Sequence, residues 1–218
     1  MATWLTHLRI AENLIKTLGD VDETSFYVGA IAPDSGKMVD DFTYMPPKDV
    51  SHWKREGVSY TQRFEDNAEF FKKYAENEQD NKMYSFYLGY YVHILTDTIY
   101  VRDIIHPFIN GRGRETWRAN IKLIRKSWYE IDCRFLEKNE KYRPLELIGE
   151  VEDFPNTTLD YFAYDDITDR ISYAYELYQN VKTDKATEFF THDEKRSDEL
   201  VKIASDEIRK LLKEKHNI

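Results

Sequence analysis

The sequence predicts an all-α fold, a single-domain bundle of roughly six main helices, on three observations. Apolar residues recur at three- and four-residue steps in successive long segments. Glycine and proline gather between those segments rather than inside them. No set of strands with regular two-residue alternation, no internal repeat and no low-complexity segment interrupts this pattern.

The first helix is carried by Trp4, Leu8, Ala11, Leu14 or Ile15, and Leu18, with Gly19 as its stop. His7 falls on that apolar stripe. From Asp20 to about Tyr60 no long period is found; Pro33, Gly36, Pro46, Pro47 and Gly57 mark turns. A forty-residue irregular stretch is uncommon in a compact domain and is often functional, and this one contains Asp34 and His52. Helix signals resume near Tyr60 and again near Lys82, where Phe86, Tyr90, His93, Asp97 and Val101 share a face. Gly111 and Gly113 precede a helix striped by Trp117, Ile121, Ile124, Trp128, Ile131 and Phe135. Pro144 and Pro155 bracket a connection. Leu159, Phe162, Ile167, Ile171, Ala174 and Tyr178 then suggest a further helix. Thr191 with Glu194 has capping-box spacing for the last one, which ends in a charged tail.

Composition narrows the class. The 218 residues suit one domain, and 16 Tyr, 12 Phe and 4 Trp supply an aromatic core. With only 8 Gly and 6 Pro, collagen-like and disordered chains are excluded. Mean hydropathy is −0.68 and no apolar run reaches the roughly 18 residues that span a bilayer. The opening residues lack a basic region followed by an apolar one, and the single cysteine, Cys133, suits a reducing compartment, so a cytoplasmic location is expected. The net charge of −9 argues against long nucleic acid as a partner. The one basic cluster, Arg112, Arg114, Arg118, Lys122, Arg125 and Lys126, reads as the solvated face of a helix.

The chemistry concentrates in the first half, which holds four of the six histidines. His93 and Asp97 stand four residues apart, so on a helix they project from one face at about 5–6 Å between Cβ atoms. An imidazole and a carboxylate at that spacing can clamp a borderline cation such as zinc. Tyrosines aside, they are the only ionisable groups between Met83 and Val101, and an unpartnered buried carboxylate is costly. A metal answers that cost, and so does Arg102 or a distant lysine. Gly89, one turn before His93, clears room on that face for a backbone or a ligand. Taken singly, His7 also reads as a hydrogen-bonded core histidine, Asp34 as the residue of an Asx turn and His52 as a loop histidine. Together with His93 and Asp97 they make the donor set of a multinuclear hydrolytic zinc site. Cys133 reads as core packing, His192 beside Asp193 as part of a helix cap, and His216 as an exposed tail residue.

The order Thr6-His7, Ala32-Pro33-Asp34, Ser51-His52-Trp53 and Gly89-xxx-His93-xxx-Asp97 resembles the zinc-dependent phospholipase C family. The N-terminal domain of glycosylphosphatidylinositol-specific phospholipase D belongs to the same group, and the single-strand-specific zinc nucleases share its helical fold. The resemblance covers residues 3–106. It implies an all-α hydrolase of phosphoric esters that works through clustered zinc ions, here two. It also implies His93 and Asp97 as the helical ligand pair, with Asp97 bridging two metals. His7 then serves the second metal, and Asp34 and His52 the first, with Asp34 also orienting or deprotonating the attacking water. His106, or Asp103 in its place, is implied as an outer ligand. Trp4 departs from the family's N-terminal tryptophan in following three residues, and no histidine lies between His106 and His192. The expected substrate is a small phosphoric ester: a lipid head group, a nucleotide or another phosphodiester. The rival expectation is a non-catalytic helical binding or scaffold protein with a degenerate metal site.

Overall fold

The computed structural model describes residues 2–40, 43–180, 182–184 and 186–218. Ten α-helices run through these residues: α1 (Trp4–Ile15), α2 (Glu23–Gly29), α3 (Lys48–Ser51), α4 (Tyr60–Tyr74), α5 (Asn81–Tyr100), α6 (His106–Arg112), α7 (Arg114–Lys138), α8 (Arg143–Gly149), α9 (Asp166–Asn180) and α10 (Glu194–His216). The six with twelve or more residues, α1, α4, α5, α7, α9 and α10, are the main helices expected from periodicity. Caps set where several begin. The side chains of Thr3, Asp22, Ser59, Asp80 and Asp193 each accept the backbone N–H three residues on.

Helix α5 is the axis of the molecule. Every residue from Ser85 to Tyr100 is buried, as expected of a helix surrounded by others rather than amphipathic on a surface. One hydrophobic cluster joins it to α1, α2, α4, α7, α9 and α10. The contact with α2 is backbone against backbone. A Cβ on Gly89 would stand 2.1 Å from the Phe26 carbonyl oxygen, and one on Gly29 would stand 2.0 Å from that of Phe86. The two glycines therefore allow a crossing closer than side chains permit. Gly89 makes its room for a neighbouring backbone.

The structure departs from the sequence reading in several places. The stretch from Asp20 to Tyr60 is shorter on irregularity than expected. It holds α2, a 3₁₀ turn at Ala32–Asp34, α3, and two short antiparallel strands, β1 (Lys37–Asp40) and β2 (Thr43–Met45). Elements of three to seven residues leave too few turns for a period to register. Helix α1 stops a turn before Gly19, where the Thr17 hydroxyl donates to the Leu14 carbonyl. Pro144 opens α8 instead of bordering a connection, since proline fits the first helical turn. Leu159 and Phe162 are buried in the turn before α9, not inside it. Asp193, not Thr191, caps α10. His216 is half-buried, its ring 3.9 Å from that of Phe71, and His192 packs against Tyr100 and Trp128. Of the basic cluster, Arg125 alone is half-buried and turned into a cleft; the other five are exposed. Cys133 is buried, and burial pushes its thiol up to about 12, in keeping with packing.

Candidate metal centre

Four separate elements deliver the five expected residues to one place. His7 lies on the buried face of α1, one turn past the Thr3 cap. Asp34 ends the 3₁₀ turn that follows α2, and His52 caps the C-terminal end of α3. His93 and Asp97 come from α5. Their donor atoms form two overlapping groups, His7–His93–Asp97 and Asp34–His52–His93, each within 4.8 Å throughout. Asp97 faces both sides. Its Oδ1 is 3.5 Å from His7 Nε2, and its Oδ2 is 3.5 Å from His52 Nε2. Asp34 Oδ1 lies 3.4 Å from the same His52 nitrogen.

Hydrogen bonds on the outer side fix how the imidazoles present themselves. His93 Nδ1 is 2.8 Å from the Ala30 carbonyl oxygen, so that nitrogen carries the proton. The carbonyl is within reach because α2 crosses α5 at Gly29 and Gly89. His52 Nδ1 pairs with Ser51 Oγ at 2.9 Å. The Nε2 atoms of His7, His52 and His93 are buried and make no hydrogen bond. Each unsatisfied buried polar atom costs roughly 1–3 kcal/mol. Three lone pairs turned toward two carboxylates fit a bound divalent cation.

The electrostatics favour the forms that bind metal. Burial holds all three histidines well below their ordinary value, His93 at about 3, so they are neutral at pH 7. For His7, the His93 ring stacked on it at 3.6 Å adds to the effect. Burial pushes the Asp34 carboxyl up. The Lys48 ammonium, together with His52, outweighs this and holds it well below the usual carboxylate range. Trp4 Nε1–H donates to Asp34 Oδ2 at 2.9 Å, and the backbone N–H of Ala2 donates to Asp97 Oδ1 at 2.9 Å.

Access comes from one side. Asp34 retains 15% side-chain exposure and borders a cleft of about 710 Å³, whereas His7, His52 and His93 lie beneath it, almost fully buried.

A family model for zinc dependent phospholipase C matches residues 6–217. The chain belongs to the zinc-dependent phospholipase C family. The match extends the resemblance expected over residues 3–106 through the second half, whose helices α7, α9 and α10 thereby count as part of the family fold. No curated protein and no solved structure matches the chain significantly.

Two expected outer ligands of this zinc-dependent phospholipase C domain stand apart from the cluster. His106 opens α6 beyond the π-helical turn at Val101–Ile105. Its Nδ1 meets the Tyr60 hydroxyl, and it joins neither donor group. Nine residues beyond Asp97 an α-helix has made two and a half turns, so helical spacing already sets His106 opposite that carboxylate, and only the resemblance implied it as a ligand. Asp103 is held by the Arg102 guanidinium, which also binds Glu207. Sequence reasoning missed Lys48, Ser51 and the Trp4 indole. Ser51 carried a signal as the neighbour of a candidate ligand, and Trp4 as the residue one turn before His7 on α1; Lys48 opens the four-residue α3, too short for a period to register.

Proposed function

We propose that this protein is a zinc-dependent hydrolase of phosphoric esters, with two zinc ions held by His7, Asp34, His52, His93 and Asp97. The observation that carries the reading is the set of three buried, unpartnered Nε2 atoms converging on Asp97, whose two oxygens face different histidines. Neutral imidazoles and bridging carboxylates are the donors of paired hydrolytic zinc sites. When bound, such ions bring a water to a pKa near 7 and neutralise charge developing on the phosphoryl oxygens.

The chain's own residues supply the rest. Asp34, ionised and exposed to the cleft, accepts the proton of the attacking water. The Trp4 indole fixes the orientation of that carboxylate, and the Ala2 N–H fixes Asp97. Ala30 sets the tautomer of His93, and Ser51 holds the His52 ring in place. The deep burial of the three rings excludes bulk water from all sides but the cleft. The substrate is a small phosphoric ester, from a lipid head group, a nucleotide or another diester.

Elemental analysis of the purified protein and of its Asp97→Ala variant tests the reading. Two zinc ions per chain, with loss of metal and of phosphodiesterase activity in the variant, are expected. A wild-type protein that takes up no zinc on reconstitution would leave a helical domain with no catalytic role. An Asp97→Ala variant with full metal content and rate would place the site elsewhere.

A further inference from the structure

The cleft that opens on Asp34 carries its own chemical preference. Five lysine and arginine side chains line it against three aspartates, on a protein whose net charge is −9. The aspartates are already engaged. Asp166 and Asp169 share Lys37 at 3.0 and 3.2 Å, and Asp34 holds Lys48. Two of the cations, Lys54 and Arg170, form no ion pair among the described residues. Lys54 stands close enough to Lys48 that the two charges repel. Arg170 donates from one terminal nitrogen to the Gly36 carbonyl at 3.0 Å, and its buried Nε has no partner.

The aromatic lining points the same way. Trp4 and Tyr173 meet edge-to-face at 5.9 Å, an arrangement that elsewhere boxes in quaternary ammonium groups. Here the Arg170 guanidinium already lies over both rings, 5.2 Å from Trp4 and 5.6 Å from Tyr173. The face of a further ring, Tyr44, is covered by Lys48 at 4.8 Å. A cationic head group entering beside Asp34 meets Arg170 and Lys48 in place of these three π-faces. An anionic one meets Lys54 and Arg170, which lack counter-ions. A site holding Asp34 on a metal also frees Lys48 to join them.

We propose that the cleft selects phosphoric esters bearing a second anionic group, held by Lys54 and Arg170, and disfavours esters ending in a quaternary ammonium. This rests on the hydrolase reading above and narrows its substrate class. The second charge belongs either to a phosphorylated lipid head group or to a free soluble ester.

The zinc-loaded full chain is assayed on p-nitrophenyl phosphodiesters of equal length ending in a phosphate, an alkyl group or a trimethylammonium. The expected kcat/KM falls in that order, by about tenfold at the first step, the worth of one charge-assisted contact. Lys54→Met and Arg170→Leu each bring the phosphate-ended ester about threefold closer to the alkyl one, and the double variant abolishes the preference. Lys54 is half-exposed, so its variant keeps the test if loss of Arg170 impairs folding. Calorimetry with the matching non-hydrolysable phosphonates gives the same ranking as Kd, independent of turnover. Equal rates or equal Kd values on all three overturn the inference while leaving the hydrolase intact. Hydrolysis of none, with a tenfold Kd preference retained, sinks the hydrolase reading and keeps the anion site. A preference seen on vesicles of a phosphorylated lipid but absent from the soluble esters would come from surface attraction and overturns it too.

Discussion

At the scale of single residues, the centre works by leaving the Nε2 atom of each histidine, and at His7 Nδ1 as well, without a hydrogen-bond partner. His93 spends its Nδ1 proton on the Ala30 carbonyl, so its Nε2 lone pair turns inward, and the Ser51 hydroxyl pairs with His52 Nδ1 and holds that ring. Such outer partners typically affect metal affinity by 10–100-fold. Ser51→Ala removes the partner of His52 without touching a ligand. Zinc binding is expected to weaken by roughly that factor, read by competition with a chromophoric chelator. An unchanged affinity would mean that packing alone orients the ring. Trp4 acts likewise on Asp34. Trp4→Phe keeps the ring but removes the donor, so kcat on an alkyl phosphodiester falls about tenfold while zinc content stays the same.

At the scale of elements, the crossing of α2 and α5 matters most. Gly29 and Gly89 bring the two backbones together, and that approach carries the Ala30 carbonyl to His93. A methyl group at position 89 would meet a backbone oxygen, which cannot swing aside as a side chain can. Gly89→Ala is expected to lose about 3 kcal/mol in urea unfolding, the upper end of the usual cost of overpacking, and to loosen zinc as well. Gly19→Ala has open space around it and is the control, with little change. Comparing the two midpoints separates the crossing from a general cost of replacing glycine.

For the molecule as a whole, the buried titratable groups set its response to acid. Burial depresses the three site histidines, and His192 to about 4, below the 6.5 of an unfolded chain. Unfolding therefore takes up protons as pH falls below about 6.5, and stability is lost in that direction. Asp132 acts in the opposite sense. Buried and held by Thr3 and Tyr178, its carboxyl is pushed up to about 7, so between pH 4 and 7 it favours the folded state as pH falls. Four histidines outweigh one carboxylate. Each net proton is worth about 1.4 kcal/mol per pH unit, so the metal-free protein is expected to unfold before pH 4. Circular dichroism along a pH titration in chelator checks this, and a signal flat down to pH 4 would contradict it. Zinc, which binds the neutral imidazoles, is expected to move the midpoint to lower pH. No helix among the described residues is long and apolar enough to cross a membrane.

The sequence by itself determined the helical class, the six long helices and the His93–Asp97 pair, and its resemblance to a family named His7, Asp34 and His52 as the other candidates. Helical periodicity needs several turns to register, and α1, α4, α5, α7, α9 and α10 supply them. The His93–Asp97 pair was legible because i,i+4 spacing on one helix fixes relative position with no tertiary information. Tertiary structure alone decided what surrounds that pair. That Asp34, from a three-residue 3₁₀ turn, and His52, at the end of a four-residue helix, meet α5 depends on loops with no period of their own. That Gly89 admits α2 rather than a ligand depends on a partner glycine sixty residues earlier. His106, implied only by the resemblance, shows a limit of another kind, since two and a half helical turns past Asp97 it falls on the opposite face and joins neither donor group. Nothing in the local sequence marks Lys48, Lys54 or Arg170. They line one cleft only because α9 is brought to the segment around α3, and local spacing fixes neighbours within an element and not between elements.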